Sequence, residues 1–253
     1  MEKQNLTSKT HPRAPEVIRF WDKLVSASDY GCEETRKLLK IKWLSEDSIS
    51  QIMAARTIAK LIHWYWKIVT RRTWERYFDH VSWVTLLLLL ELWETDPDTL
   101  SAAEDHDVLE DWKIDLWEMK NLINFRVSPG TLEITEMVTN PKKTGDEKKD
   151  KQIKTRHYHL ISHHKKAPRV KVGDRMYNLR CLEIFHFNES EITEKHLKKA
   201  EEQIEETIKH ILPIALKHDL GRYLIPDIEK VEKRASEVRL ILVQRKTKKA
   251  VKI

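Results

Sequence analysis

From Pro15 to about Leu122 the apolar residues recur at intervals of three and four, the period of a helix that buries one face. In SEDSISQIMAARTIAKLIHWYWKIV, Ile52, Ala55, Ala59, Ile62, Trp66 and Val69 make one stripe, with Ile58, Leu61, Tyr65 and Ile68 beside it. Ser48 followed by Gln51 is a capping-box pattern that starts this helix. The next, from about Thr73 to Glu94, opens amphipathic with Trp74, Tyr77, Phe78 and Val81. It ends in five leucines, Leu86 to Leu90, which leave no polar face, so that end must be enclosed. Beyond the acidic connection DPDTLSAAEDHD a further seam runs through Leu109, Trp112, Leu116, Met119 and Ile123.

After Leu122 the pattern changes to short runs, NFRV, TLEITEMV, IKTRHYHLI and RMYNLRCLEIFHF, separated by Ser-Pro-Gly at 128–130 and NPKKTGDEKKD at 140–150. Those are the lengths and punctuation of strands and turns. A long helix follows, with Asn188 and Glu191 as a second capping box, Pro213 as a kink and Gly221 as its stop. EVRLILVQR (237–245) is apolar on both faces at its centre and predicts an interior strand. The expected fold is α+β, an N-terminal helical bundle followed by a mainly antiparallel sheet packed with a long helix. Its parts are a flexible lead (1–15), a helical domain (16–123), an α+β domain (124–245) and a basic tail (246–253).

Composition narrows the function classes. Five glycines in 253 residues are too few for phosphate-cradling nucleotide folds, and neither GxxxxGK[ST] nor GxGxxG occurs. Cys32 and Cys181 are the only cysteines, which points to a reducing, intracellular setting without a disulfide framework. The polar N-terminus lacks the apolar core of a secretory signal. WVTLLLLLELW (83–93) falls short of the ~20 apolar residues of a membrane span, so no membrane partner is expected.

The net charge of +6 is unevenly spread. Residues 91–118 hold eleven acids and one lysine, while residues 126–180 hold fourteen Lys plus Arg against six acids. Such polarity suits a nucleic-acid partner, because cations neutralise phosphates while planar rings stack on unpaired bases. The candidate contact residues are Lys142, Lys143, Lys148, Lys149, Lys151, Lys154, Arg156, Tyr158, Lys165, Lys166, Arg169, Lys171, Arg175 and Arg180. The expectation is a non-enzymatic protein that holds RNA or single-stranded DNA on a basic sheet surface, with no cofactor, metal or catalytic residue. Its helical part would serve assembly, by self-association or with a protein partner. A second basic strip, Arg56, Lys60, His63, Lys67 and Arg71, shares one helix face and reads as its solvated side. The acidic pairs Asp96/Asp98 and Asp105/Asp107 fall in the expected connection, without a shaped pocket.

Two alternatives come from other features. On a strand, His157 and His159 of the His157-Tyr158-His159 triplet share a face, where two neutral nitrogens can chelate a divalent ion. The triplet resembles the His-hydrophobic-His motif of the replication and relaxase nicking endonucleases. That resemblance implies a metal-dependent single-strand nicking enzyme, with Tyr223 as nucleophile and Glu183 or His186 as third ligand. His163-His164 with Cys181 and His186 would be a mixed-ligand zinc set. The other alternative is an adaptor or structural subunit whose acidic 91–118 segment and leucine-rich helix dock a protein partner.

Overall fold

The computed structural model describes residues 32–66, 77–111 and 116–250. Among these residues every regular element is helical and no strand forms, which overturns the expected α+β fold and its antiparallel sheet. The chain divides into two compact units, and the division falls within one helix, between Glu136 and Met137. The 1–15 lead, Lys67, Arg71, Trp74 and Trp112 lie outside the described residues.

In the first unit the helices are α1 (Cys32–Ile41), α2 (Glu46–Trp66), α3 (Tyr77–Leu90), α4 (Pro97–Asp105), α5 (Val108–Asp111), α6 (Leu116–Arg126) and α7 (Pro129–Val138), the last crossing the division. The long helix α2 is the centre, with α1, α3, α4, α5 and α6 all packed against it. Its wide apolar face is as the spacing predicts: Ile52, Ala55, Ile58, Ala59 and Ile62 are buried. Its start differs. Ser45, not Ser48, supplies the cap, its Oγ accepting from the Ser48 N–H at 3.1 Å, and Gln51 instead donates to Asp98 Oδ1 at 2.8 Å. Leu86 to Leu90 are all buried, as an all-apolar helix end requires.

The acidic stretch expected as a connection is the helix α4. Asp96 caps it, accepting from the Thr99 N–H at 2.8 Å, and Pro97 sits in the first turn, where its missing N–H costs nothing. Ser-Pro-Gly at 128–130 is a helix start as well. Ser128 Oγ accepts from the Thr131 N–H at 2.9 Å and Pro129 opens α7. A Cβ on Gly130 would stand 2.4 Å from the Asp98 carboxylate, so a larger residue would have to displace a side chain that Gln51 and Ser128 hold. TLEITEMV was expected as a strand, yet Thr131, Ile134, Thr135 and Val138 are its buried residues, at helical spacing.

The second unit continues with α8 (Glu147–His163), α9 (Ala167–Arg180), a 3-10 turn (Glu183–Phe185), α10 (Glu194–Glu206), a π-helical segment (Thr207–Ile211), α11 (Leu212–Lys217) and α12 (Gly221–Ala250). IKTRHYHLI lies in α8 and EVRLILVQR in α12, and RMYNLRCLEIFHF spans the end of α9 and the 3-10 turn. The expected interior strand is contradicted by exposure too: Leu240 and Val243 face solvent. Pro213 does divide the preceding helix. Its absent N–H leaves the ladder open, and the chain widens so that the Leu212 N–H reaches the Thr207 carbonyl. The helix stops at left-handed Asp219 (φ 58°) rather than at Gly221, which begins α12. No helix among the described residues is long and apolar enough to cross a membrane.

Candidate metal centre

The doublet His106-Asp107, whose carboxylate belongs to the acidic pair Asp105/Asp107, lies at the end of α4. His106 closes that helix in helical conformation, and Asp107 follows in the turn. Its partner is His80, one turn into α3, on the same helix whose end is entirely apolar. His80 and His106 are buried and the Asp107 side chain is 15 % exposed, so the set is largely desolvated.

The geometry converges on one point. His80 Nε2 and His106 Nε2 are 3.1 Å apart, Asp107 Oδ1 is 3.4 Å from His106 Nε2, and Asp107 Oδ2 is 3.8 Å from His80 Nε2. Donors bound to one ion at ~2.0–2.2 Å sit about 3.0–3.5 Å from each other; the 3.1 and 3.4 Å separations fall in that range, and the 3.8 Å between His80 and Asp107 must shorten for the three to share a divalent cation. The tautomer of His106 is fixed by its other nitrogen: Nδ1 lies 2.8 Å from the Ala103 carbonyl, which only accepts. Nδ1 therefore carries the proton, and a neutral His106 presents the Nε2 lone pair to His80 and Asp107, the usual posture of a metal-ligating imidazole.

A buried polar layer stands in the same unit. Arg56 Nη1 donates to Ser82 Oγ at 2.5 Å and to Glu104 Oε1 at 3.2 Å, and the three residues are essentially without solvent contact. Burial pushes the Glu104 carboxyl up, and the Arg56 guanidinium offsets only part of that. Burial, and then the Glu104 charge, hold Asp105 well above the usual carboxylate range. The basic strip of α2 is thus not a solvated face: Arg56 and His63 are buried, and Lys60 alone of its described members is exposed.

The predicted nucleic-acid residues are all in the second unit, and helices place them differently from hairpins. Lys142, Lys143, Lys148, Lys149, Lys151, Arg156 and Lys165 are exposed, and Lys166 and Arg169 are half-buried. Lys151 pairs with Glu147 at 2.7 Å, Lys154 with Glu206 at 2.9 Å and Arg180 with Asp227 at 2.8 Å. Lys171 is buried, its Nζ 3.4 Å from the Val138 carbonyl. Tyr158 is buried too: its ring stacks on His210 at 5.0 Å and its hydroxyl donates to Glu206 at 2.9 Å. Buried Arg175 donates to Gln203 and to Glu206.

On a helix, residues two apart point about 200° from each other, so His157 and His159 do not share a face. Burial, and then the Lys171 charge, bring His157 down to about 4, whereas His159 is exposed. Of the other residues implied by the nicking resemblance, Tyr223 accepts from its neighbour Arg222 at 2.9 Å, and Glu183 is buried beside Lys199 and His196. His186 is exposed, its Nε2 3.3 Å from the Arg180 carbonyl.

The Glu206 cluster carries a pH prediction. Burial pushes the Glu206 carboxyl up, but Arg175 and Lys154 pull harder and hold it at about 2, below its ordinary 4.5. A folded-state value below the unfolded one contributes stability that is full above 4.5 and is lost as pH falls through about 2. Glu206→Gln should therefore lower the urea midpoint at pH 7, with the gap to wild type closing between pH 4.5 and pH 2. A gap unchanged over that window would mean that Glu206 contributes by shape alone.

Compared with known proteins, the chain matches no family model and no curated protein. The His106-Asp107 doublet is visible in the sequence, but nothing in the amphipathic opening of the 73–94 helix marks His80 as its partner.

Proposed function

We propose that this chain is a metal-dependent hydrolase of phosphate esters, with His80, His106 and Asp107 holding a divalent ion. The observation that carries it is the approach of the two Nε2 atoms to 3.1 Å with the Asp107 carboxylate beside them. Two imidazoles and one carboxylate leave coordination positions for water and substrate, the mark of a catalytic rather than a structural site. An ion held by His80, His106 and Asp107 would supply Lewis acidity toward a water molecule and a phosphoryl oxygen. The cationic surplus of +6 favours an anionic substrate.

The test is metal content together with turnover. Chain stripped with chelator and dialysed against Mn²⁺ should hold one ion that His80→Ala and His106→Ala lose. Hydrolysis of 4-nitrophenyl phosphate or bis(4-nitrophenyl) phosphate should fall by at least about a hundredfold in both variants. Wild-type chain that binds no Mn²⁺, or variants that turn over as wild type does, would remove the proposal.

A second reading rests on the exposed cations Lys142, Lys143, Lys148, Lys149, Arg156 and Lys165. In it this helical surface holds RNA or single-stranded DNA by charge. Its signature is a fall of log K with log salt of about 0.7 per phosphate neutralised. Exchanging Lys148 and Lys149 for Glu should flatten that slope, and a salt-independent affinity would exclude it.

A further inference from the structure

The histidines around the end of α8 differ in what their ring nitrogens already do. His164 Nδ1 accepts the backbone N–H groups of Lys166 at 3.1 Å and Ala167 at 2.9 Å, so it caps α9. His218 Nε2 donates to the Ser162 carbonyl at 3.0 Å. His159 and His163 are different. Both are exposed, they stand one turn apart on α8, and their ring centroids are 4.3 Å apart. His163 Nδ1 lies 2.8 Å from the His159 carbonyl, which only accepts, so Nδ1 carries the proton and the lone pair of the neutral ring is on Nε2. An imidazole whose second nitrogen donates to a backbone carbonyl is held in the orientation and tautomer of a metal ligand.

We infer that His159 and His163 form a second, surface metal site that takes a divalent transition ion such as Ni²⁺, Cu²⁺ or Zn²⁺. Residues four apart lie on one helix face, so one ion reaches both rings without distortion of the backbone. Imidazole donors favour these ions over Mg²⁺ and Ca²⁺, which prefer oxygen. The ion would join the two ends of the last turn of α8, a position where helices fray because their final carbonyls lack intrahelical partners. It would thereby clamp that helix end. The site shares no residue with His80, His106 and Asp107, so it stands or falls independently of the proposed hydrolase.

The experiment is calorimetric titration of the full chain with Ni²⁺ in the presence of millimolar Mg²⁺. Wild type and His106→Ala should both show a site that His159→Ala and His163→Ala weaken by at least about tenfold, the smallest loss expected when a ligand itself is removed. Replacing Ni²⁺ with Cu²⁺ should tighten it. Helix content by circular dichroism, unchanged in both exposed-histidine variants, shows that the loss is local. Isotherms of His159→Ala and His163→Ala that overlay wild type would overturn the proposal. So would loss of this site in a folded His106→Ala chain.

Discussion

Replacing Arg56 with leucine should destabilise the first unit by about 3–5 kcal/mol, the usual result of removing one member of a buried ion pair. The Arg56 and Glu104 side chains are 2 % and 0 % exposed, and Ser82 Oγ completes the set. Without the guanidinium, Glu104 keeps its desolvation penalty and loses the attraction that offsets it. The pair itself need not be favourable, because two charges taken out of water often gain no more from each other than they lost. A chain carrying Arg56→Leu and Glu104→Leu together should therefore recover most of the loss. Urea denaturation of both single variants and the double closes the cycle. If the double variant is as unstable as the sum of the singles, the two side chains act separately and the buried-pair account is wrong.

How much of this was legible beforehand depends on how much apolar surface each helix buries. Residues 46–66 and 77–90 show wide apolar stripes, and both appear in the structure as helices packed as the spacing implies. In α8 the fully buried residues are Tyr158 and Ile161 alone, a stripe too narrow to establish a helical period among lysines and histidines. Short alternating runs then resemble strands. The i,i+4 Glu147–Lys151 pair and the Asp146 cap, which accepts from the Lys148 and Lys149 N–H groups, were the better guides. EVRLILVQR misleads for another reason: Leu240 and Val243 are apolar residues on an exposed helix face, where the pattern records composition rather than burial.

The candidate centre was legible only in part, because its residues come from different elements. His106 and Asp107 are adjacent, but His80 reaches them only through the packing of α3 on α4. The His157-Tyr158-His159 triplet lies on a helix, where strand alternation does not align His157 with His159. The helical period instead aligns His159 with His163.

Leu88→Asp should be the most damaging single change in α3, and its pH dependence separates interior from interface. Leu86 to Leu90 are each at most 5 % exposed within the unit, so they are interior positions. A carboxylate there has no partner and costs several kcal/mol, enough to exhaust much of the stability of a domain. The new carboxyl escapes part of that cost by staying protonated, which raises its folded-state pKa above the unfolded ~3.9. The sign follows: the folded state then binds more protons than the unfolded one, so the variant loses stability as pH rises from about 4 toward neutrality. Wild type has no such group and should lack this component. The checking measurement is the difference in thermal midpoint between Leu88→Asp and wild type at pH 4 and pH 7, expected to be larger at pH 7. A folded Leu88→Asp chain with the same midpoint at both pH values, altered only in its sedimentation, would place these leucines on a surface between copies of the chain and overturn the interior assignment.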